Sequence, residues 1–274
     1  MNPLAYLRDN LAKLGCWLAH PAAARFHLNR ALWDTGYPWT RLRPAAIEAI
    51  FPGIVAGGDA IQLVRPFALV RGTSLELEEL VAVLAIVRHV GARRVLEVGT
   101  FNGHTALNLA VNLPADGMVV TIDLPPAGDP AALTTTSTTG PAAAGHARKA
   151  ARSVPLPTPF GRRHYEGHPA AAKIRQVLAD STTLDWSSLG GPFDVAIIDG
   201  DHTSRAVASD TRGVRSVLAP GGVILWHDYE WRSVAKVIDG FAAAGEPIAW
   251  IKGTRFAVEG SVPSGRKVTA EPLL

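Results

Sequence analysis

Residues 94–110 read RVLEVGTFNGHTALNLA: a short apolar run, a turn with two glycines, and the start of an amphipathic stretch. A strand, a glycine turn and a helix presents backbone N–H groups and the positive end of a helix dipole to a ligand. The dinucleotide pattern G-x-G-x-x-G would need glycines at three positions, where this chain has Gly99, Phe101 and His104. The stretch therefore predicts a ligand site without the usual pyrophosphate cradle.

Apolar, β-branched runs alternate with helical patterns over the rest of the chain. The predicted strands are Arg94 to Val98, Met118 to Asp123, Val177 to Asp180, Phe193 to Asp199 and Gly222 to His227. Helical spacing predicts helices from residue 77, around Ala170 to Val177, and over Ala206 to Leu218. Residues 247–260 predict two antiparallel strands joined at Gly253 and Thr254. The fold class is α/β: a doubly wound, Rossmann-like, mostly parallel seven-stranded sheet with a C-terminal antiparallel pair.

The chain divides into a first part and a main domain. Residues 1–70 predict a helical N-terminal extension, either a lid or an oligomer contact, broken by several prolines. Residues 71–274 form the main domain, and Thr73 with Glu76 predicts a capping box at its start. Residues 126–160 are rich in Ala, Thr, Pro and Gly, which predicts a flexible insertion.

Composition excludes several classes of protein. The net charge of +3 gives no basis for a nucleic-acid groove. The longest apolar runs are far shorter than the roughly 20 residues that span a bilayer, so we expect no transmembrane segment and a cytoplasmic protein. Cys16 is the single cysteine, which excludes an intramolecular disulfide and a cysteine zinc site.

The motif E-V-G-T-F-N-G, with an acid closing the next strand, resembles the S-adenosylmethionine motifs of class I methyltransferases, in the form of the catechol-type and sugar O-methyltransferases. The resemblance implies that Gly99 and Gly103 face the methionine part, with Glu97 in support. It implies that Asp123 binds the ribose, where a carboxylate at a strand end suits a diol. The further cofactor contacts that it implies are Thr100, Phe101, Thr105, Asp180, Ser181 and Asp199.

A second group of polar residues follows two later strands. Asp199, Asp201 and His202 follow the fourth predicted strand, and His227 with Asp228 follow the fifth. If these strands are neighbours, about 4.8 Å apart, the side chains emerge on one rim. Asp199, Asp228 and His227 are then candidates to hold a cation, with His202 as a general base. Asp201 either orients that histidine, reaches solvent, or caps the next helix.

These stretches also resemble the metal-dependent macrolide-sugar and aminocoumarin-sugar O-methyltransferases. That resemblance implies Mg²⁺ held by an acid after the fourth strand and two acids after the fifth, with a histidine as base. Asp199, His202 and Asp228 match, but His227 replaces the first acid of the pair. Mg²⁺ prefers oxygen ligands. Three alternatives stay open: weak Mg²⁺ binding, a softer ion such as Mn²⁺, or no metal with His227 in acid/base chemistry.

These residues and the resemblance together imply methyl transfer from S-adenosylmethionine to a hydroxyl of a small molecule or sugar. A homo-oligomer and a monomer both stay open, with the N-terminal segment as a candidate dimer contact. Catalysis would use His202, Asp199 and His227. Trp226, Tyr229 and Trp231 either line the acceptor pocket or simply pack. Two other functions fit the same fold: a nucleotide-cofactor oxidoreductase of the NAD type, and a non-catalytic binding protein.

Overall fold

The computed structural model describes residues 31–57, 60–66, 74–125 and 163–260. Its centre is an eight-stranded sheet with the strand order β1-β7-β8-β6-β5-β2-β3-β4. The strands are β1 Pro44–Ala45, β2 Arg94–Val98, β3 Met118–Asp123, β4 Ile174–Leu178, β5 Phe193–Ile198, β6 Leu218–Trp226, β7 Ile248–Ile251 and β8 Ala257–Glu259. Only β8 runs antiparallel to its neighbours, β6 and β7. The predicted fold class is therefore confirmed, with β1 as an additional edge strand.

Helices cover both faces of the sheet. They are α1 Ile47–Ile50, α2 Leu77–His89, α3 His104–Asn112, α4 Ser204–Val217 and α5 Arg232–Ala243, with 3-10 helices at Pro169–Lys173 and Trp186–Leu189 and a further helical stretch at residues 31–35. Apolar residues of α2 and α3 pack on one face and those of α4 and α5 on the other. Alternate residues of the central strands enter each core, which explains their continuous apolar runs.

The predictions differ from the structure mainly at β4. The predicted helix around Ala170 to Val177 is wrong, because a 3-10 helix ends at Lys173 and β4 begins at Ile174. β4 is the edge strand beside β3, and its five residues mix partial burial and exposure without strict alternation, which is easily mistaken for a helical pattern over so short a run. The capping box of α2 is formed by Glu76 and Glu79.

The part of the predicted N-terminal extension that is described packs on the main domain. β1 pairs with β7, and Trp33 and Tyr37 are buried in the core beside α5. The side chains of Asn108 and Asn112 hydrogen-bond to the backbone of Val64 and Gln62, which holds this segment along α3.

Several predicted features lie outside the described residues: the helical patterns before residue 31, Thr73, and the insertion at 126–160. The domain boundary near residue 70 stays a prediction. Within the described ranges, no helix is both long and apolar enough to cross a membrane.

Candidate active site

The glycine turn predicted from the sequence joins β2 to α3 at the carboxyl end of the sheet. Gly99 and Gly103 both have positive φ, 102° and 73°. A Cβ atom on Gly99 would lie 2.1 Å from the backbone oxygen of Asp199, and one on Gly103 would lie 2.6 Å from the ring of Tyr165. Only glycine fits at either position. The helix begins at His104 with Gly103 as its N-cap, and Thr105, one of the implied cofactor contacts, is its second residue.

A buried acid lies beneath this turn. Glu97 is 2% exposed and accepts a hydrogen bond of 2.5 Å from the Thr121 hydroxyl. The hydroxyls of Thr121 and Thr100 lie 2.6 Å apart. Burial raises the pKa of Glu97 to about 8, and the charges of Asp199 and Asp123 add to this effect. The free protein therefore keeps this carboxyl protonated at neutral pH.

Asp123 closes β3 beside the turn, as the sequence predicts. Its carboxylate accepts the backbone N–H of Phe101 at 2.9 Å and that of Leu124 at 2.8 Å. Arg163 lies 3.8 Å from the same carboxylate. Burial raises the pKa of Asp123, against the opposing effect of Arg163. The backbone N–H of Phe101, one of the predicted cofactor contacts, therefore fixes the position of the acid.

Two further predicted cofactor residues, Asp180 and Ser181, follow β4. Asp180 accepts hydrogen bonds from the backbone and hydroxyl of Thr182, at 2.9 and 2.6 Å, which is an Asx turn. Ser181 bonds to the buried Asp210 of α4. Both residues lie near the rim of β3, because the N–H of Ala179 donates to the carbonyl of Asp123 at 2.9 Å.

The second predicted group forms at the adjoining part of the rim. β5 and β6 are neighbours, with Ile198 paired to Trp226, so Asp199 and His227 leave the sheet side by side. His227 Nδ1 lies 2.9 Å from Asp199 Oδ1. His202 Nε2 lies 2.6 Å from Asp228 Oδ2 and 3.9 Å from Asp199 Oδ1. The structure therefore brings together all four predicted residues.

The two histidines differ in their environments. His227 is buried, and Asp199, Glu79 and Asp228 raise its pKa well above the usual value although burial favours the neutral ring. His202 is about one-third exposed at the rim. Burial opposes its protonation too, but its contact with Asp228 raises its pKa. His202 is thus the histidine that a substrate can reach.

Two charged residues of this group were missed from the sequence. Glu79 of α2 is fully buried, and both of its oxygens accept hydrogen bonds from the Arg255 guanidinium. Glu79 Oε2 also lies 3.3 Å from His227 Nε2. His227 and Arg255 hold the pKa of Glu79 well below its usual range, against the effect of burial. An acid on the apolar face of a predicted helix was the available signal.

Neighbouring residues have structural roles. Asp201 Oδ1 accepts the N–H of Thr203 at 2.7 Å in an Asx turn just before α4, and the N-cap of that helix is Thr203 itself. Trp226 and Tyr229 are fully buried and belong to the core. Trp231, in contrast, is 51% exposed and stacks on the His202 ring with centroids 4.7 Å apart. Of the three aromatic candidates, Trp231 is the one that is exposed beside His202.

The donor set does not suit a divalent metal. Among the described residues, one group, Asp199, His202 and Asp228, offers ligand atoms within 4.8 Å of one another. The predicted ligand His227 is not in it, because its two nitrogens face Asp199 and Glu79. Both oxygens of Asp228 already contact positive or donor groups, one Arg255 and the other His202. Asp199 Oδ1 contacts His227 as well, so few oxygen ligands are left for Mg²⁺.

Most residues of this site fall within a match to a known family model. Residues 96–229, which include both groups of the rim, match the family model described as a methyltransferase domain. The O-methyltransferase TomG from Streptomyces achromogenes is similar at 16% identity and a TM-score of 0.47, over 81% of this chain and 92% of that one. An O-methyltransferase from Bacillus cereus has 16% identity and a TM-score of 0.47, over 86% and 97% of the two chains. At these values the likeness transfers no ligand or substrate to this chain.

Proposed function

We propose that the chain is a class I methyltransferase, which transfers the methyl group of S-adenosylmethionine to a hydroxyl oxygen of a small molecule or sugar. One observation carries the proposal. The buried carboxyl of Glu97, which no cation neutralises by direct contact in the described part of the chain, lies beneath a glycine turn beside a rim that presents His202. A ligand with cationic centres suits such an acid, whereas a pyrophosphate does not.

The cofactor would bind along the turn from Gly99 to Gly103. The close approach of Gly99 to the Asp199 backbone leaves the outer side of the turn for the methionine part. Asp123 would accept the ribose hydroxyls, replacing its contact with Arg163. Asp180 and Ser181 would border the adenine. Thr100 and Thr105 would line the turn, and Thr100 is tied to Glu97 through Thr121.

His202 would act as the general base. The methyl group of a sulfonium is already activated, so the protein must align the two partners and remove a proton from the acceptor. The accessible ring of His202 is held between Asp228 and the indole of Trp231. Asp228 would stabilise the imidazolium that forms when the ring takes the proton. Asp199 and the buried His227 would contact each other beneath His202 and keep the rim in position.

The acceptor belongs to a class rather than to a named compound. The exposed ring of Trp231 offers an apolar platform beside His202, which suits the face of a sugar ring or a phenol. A catechol-like phenol and a sugar hydroxyl would use the same base. A homo-oligomer and a cytoplasmic location remain predictions.

Calorimetric titration with S-adenosylmethionine and S-adenosylhomocysteine tests the proposal. We expect both to bind, and reduced nicotinamide cofactor, titrated in parallel by fluorescence, not to bind. His202→Ala should then lower kcat for any accepted hydroxyl while leaving cofactor affinity nearly unchanged. The reverse ligand preference would indicate an oxidoreductase. Cofactor binding without release of S-adenosylhomocysteine from any hydroxyl compound would favour a non-catalytic binding protein.

A further inference from the structure

A buried ion pair underlies the catalytic rim. The backbone N–H and Nε of Arg255 donate to Glu79 Oε1 at 2.8 and 2.9 Å, and its second terminal nitrogen donates to Oε2 at 2.6 Å. The side chains are 12% and 0% exposed. A planar guanidinium held at several points has little freedom to move. Glu79 therefore fixes where the positive charge of Arg255 lies.

The other arm of the same guanidinium reaches the rim. It donates to Asp228 Oδ1 at 2.9 Å, while Asp228 Oδ2 lies 2.6 Å from His202. Asp228 has a φ of 53°, a conformation that costs energy for a non-glycine residue. Arg255 thus bridges a buried acid and the acid that contacts the proposed base. Within the described part of the chain, Arg255 makes no hydrogen bond to the His202 ring or to the turn from Gly99 to Gly103.

A divalent ion at Asp199 and Asp228 would have to share this space. Arg255 is charged at all working pH values, and it is hydrogen-bonded to one of the two carboxylates that the ion would need. Like charges at such short range repel strongly where water is excluded. Relief of this repulsion would require Asp228 to leave Arg255, which would break their hydrogen bond of 2.9 Å.

We propose that Arg255 takes the place of a divalent cation in this site: held by Glu79, its guanidinium positions Asp228 for His202, and the site binds neither Mg²⁺ nor Mn²⁺. Arg255 is then a positioning residue for the base. The inference is independent of the methyl acceptor. Metal binding can be measured without any turnover, so its failure and that of the proposed function are distinguishable.

Binding of Mn²⁺ alone, followed by the electron paramagnetic resonance signal of the free ion, tests this inference. We expect no binding to the wild type at millimolar Mn²⁺, and no change of melting temperature on addition of chelator. Arg255→Met frees Asp228 and should bind Mn²⁺ at least tenfold more tightly than the wild type. Arg215→Met is the matched control, because Arg215 also pairs with two acids, Glu246 and Glu259, and lies outside the rim.

A second variant keeps the test valid if Arg255→Met does not fold. Glu79→Gln with Arg255→Gln removes both charges of the buried pair together, which is milder than removing one. It should also gain Mn²⁺ affinity, and adding Asp228→Asn should abolish the gain. Tight Mn²⁺ binding by the wild type would overturn the inference. So would a folded Arg255 variant, single or double, that binds Mn²⁺ no better than the wild type.

Discussion

Glu97 and Glu79 are two buried glutamates whose pKa values are shifted in opposite directions. Glu97 is 2% exposed, and its pKa rises to about 8. Glu79 is 0% exposed, yet its pKa lies well below the usual range. Burial disfavours the carboxylate in both. The difference comes from their partners: a threonine hydroxyl for Glu97, and Arg255 with His227 for Glu79.

The comparison separates two tasks at one rim. Glu79 has its cationic partners inside the protein, and its contacts hold Arg255 and His227 in place. On the proposed function, Glu97 gains a cationic partner only when the ligand binds. On this account the cofactor supplies the missing positive charge at Glu97, whereas Arg255 already supplies it at Asp228.

The largest expected effect is on stability at the paired acid. Glu79→Ala leaves Arg255 and His227 buried without their shared partner, so the free energy of unfolding should fall by about 3–5 kcal/mol. Glu78→Ala, at an exposed position of the same helix, should cost less than about 1 kcal/mol. Denaturant unfolding of the two variants measures both. An equal loss of unfolding free energy in the two variants would show that the ion pair of Glu79 does not stabilise the fold.

A smaller effect is expected at the turn above the unpaired acid. Gly99→Ala would place a Cβ 2.1 Å from the Asp199 backbone, whereas Gly91, also at positive φ, has nothing within 4 Å of its Cβ position. Both variants pay the conformational cost of positive φ, and only the first meets a backbone atom. We expect Gly99→Ala to lose about 1–3 kcal/mol more than Gly91→Ala in thermal or denaturant unfolding. An equal loss of stability in both variants would show that the Asp199 backbone does not require glycine at position 99.

The third effect concerns cofactor affinity. Asp123→Ala removes a charge-assisted hydrogen bond to the ribose, so S-adenosylmethionine binding should weaken by about 1.5–3 kcal/mol in calorimetry. Asp116→Ala is the control, because Asp116 is an exposed acid just before the opposite end of the same strand, β3. Unchanged affinity in Asp123→Ala would take this acid out of the cofactor site.

The sequence predicts the architecture well because its signals are local. Apolar runs marked the central strands, and Gly99 and Gly103 marked the turn, since strand pattern and positive φ leave direct traces in residue choice. The edge strand β4 was displaced in the prediction because its short, half-exposed run carries little periodic information. Four of the rim residues were found because they directly follow two strands.

The paired acid was not found because its partner is remote. Glu79 and Arg255 are 176 residues apart, and they meet because β8 inserts between β6 and β7 and brings Arg255, two residues before that strand, next to α2. Sequence spacing holds no record of that arrangement. The metal hypothesis was based on the rim residues alone. It did not include Arg255, which donates a hydrogen bond to one of the proposed metal ligands, Asp228.

Proton release on cofactor binding tests the account most directly. In the free protein Glu97 has a pKa of about 8 and is largely protonated at pH 7. A cationic ligand favours the carboxylate, so binding should lower this pKa, release a proton, and weaken as pH falls below about 8. Glu97→Gln should bind without this proton release.

The measurement is calorimetric titration of S-adenosylmethionine at pH 7 in two buffers of different ionisation enthalpy, repeated with Glu97→Gln. The account predicts a binding enthalpy that depends on the buffer for the wild type, with a release approaching one proton, and no such dependence in the variant. Binding by the wild type with no proton release, or no binding at all, would contradict it.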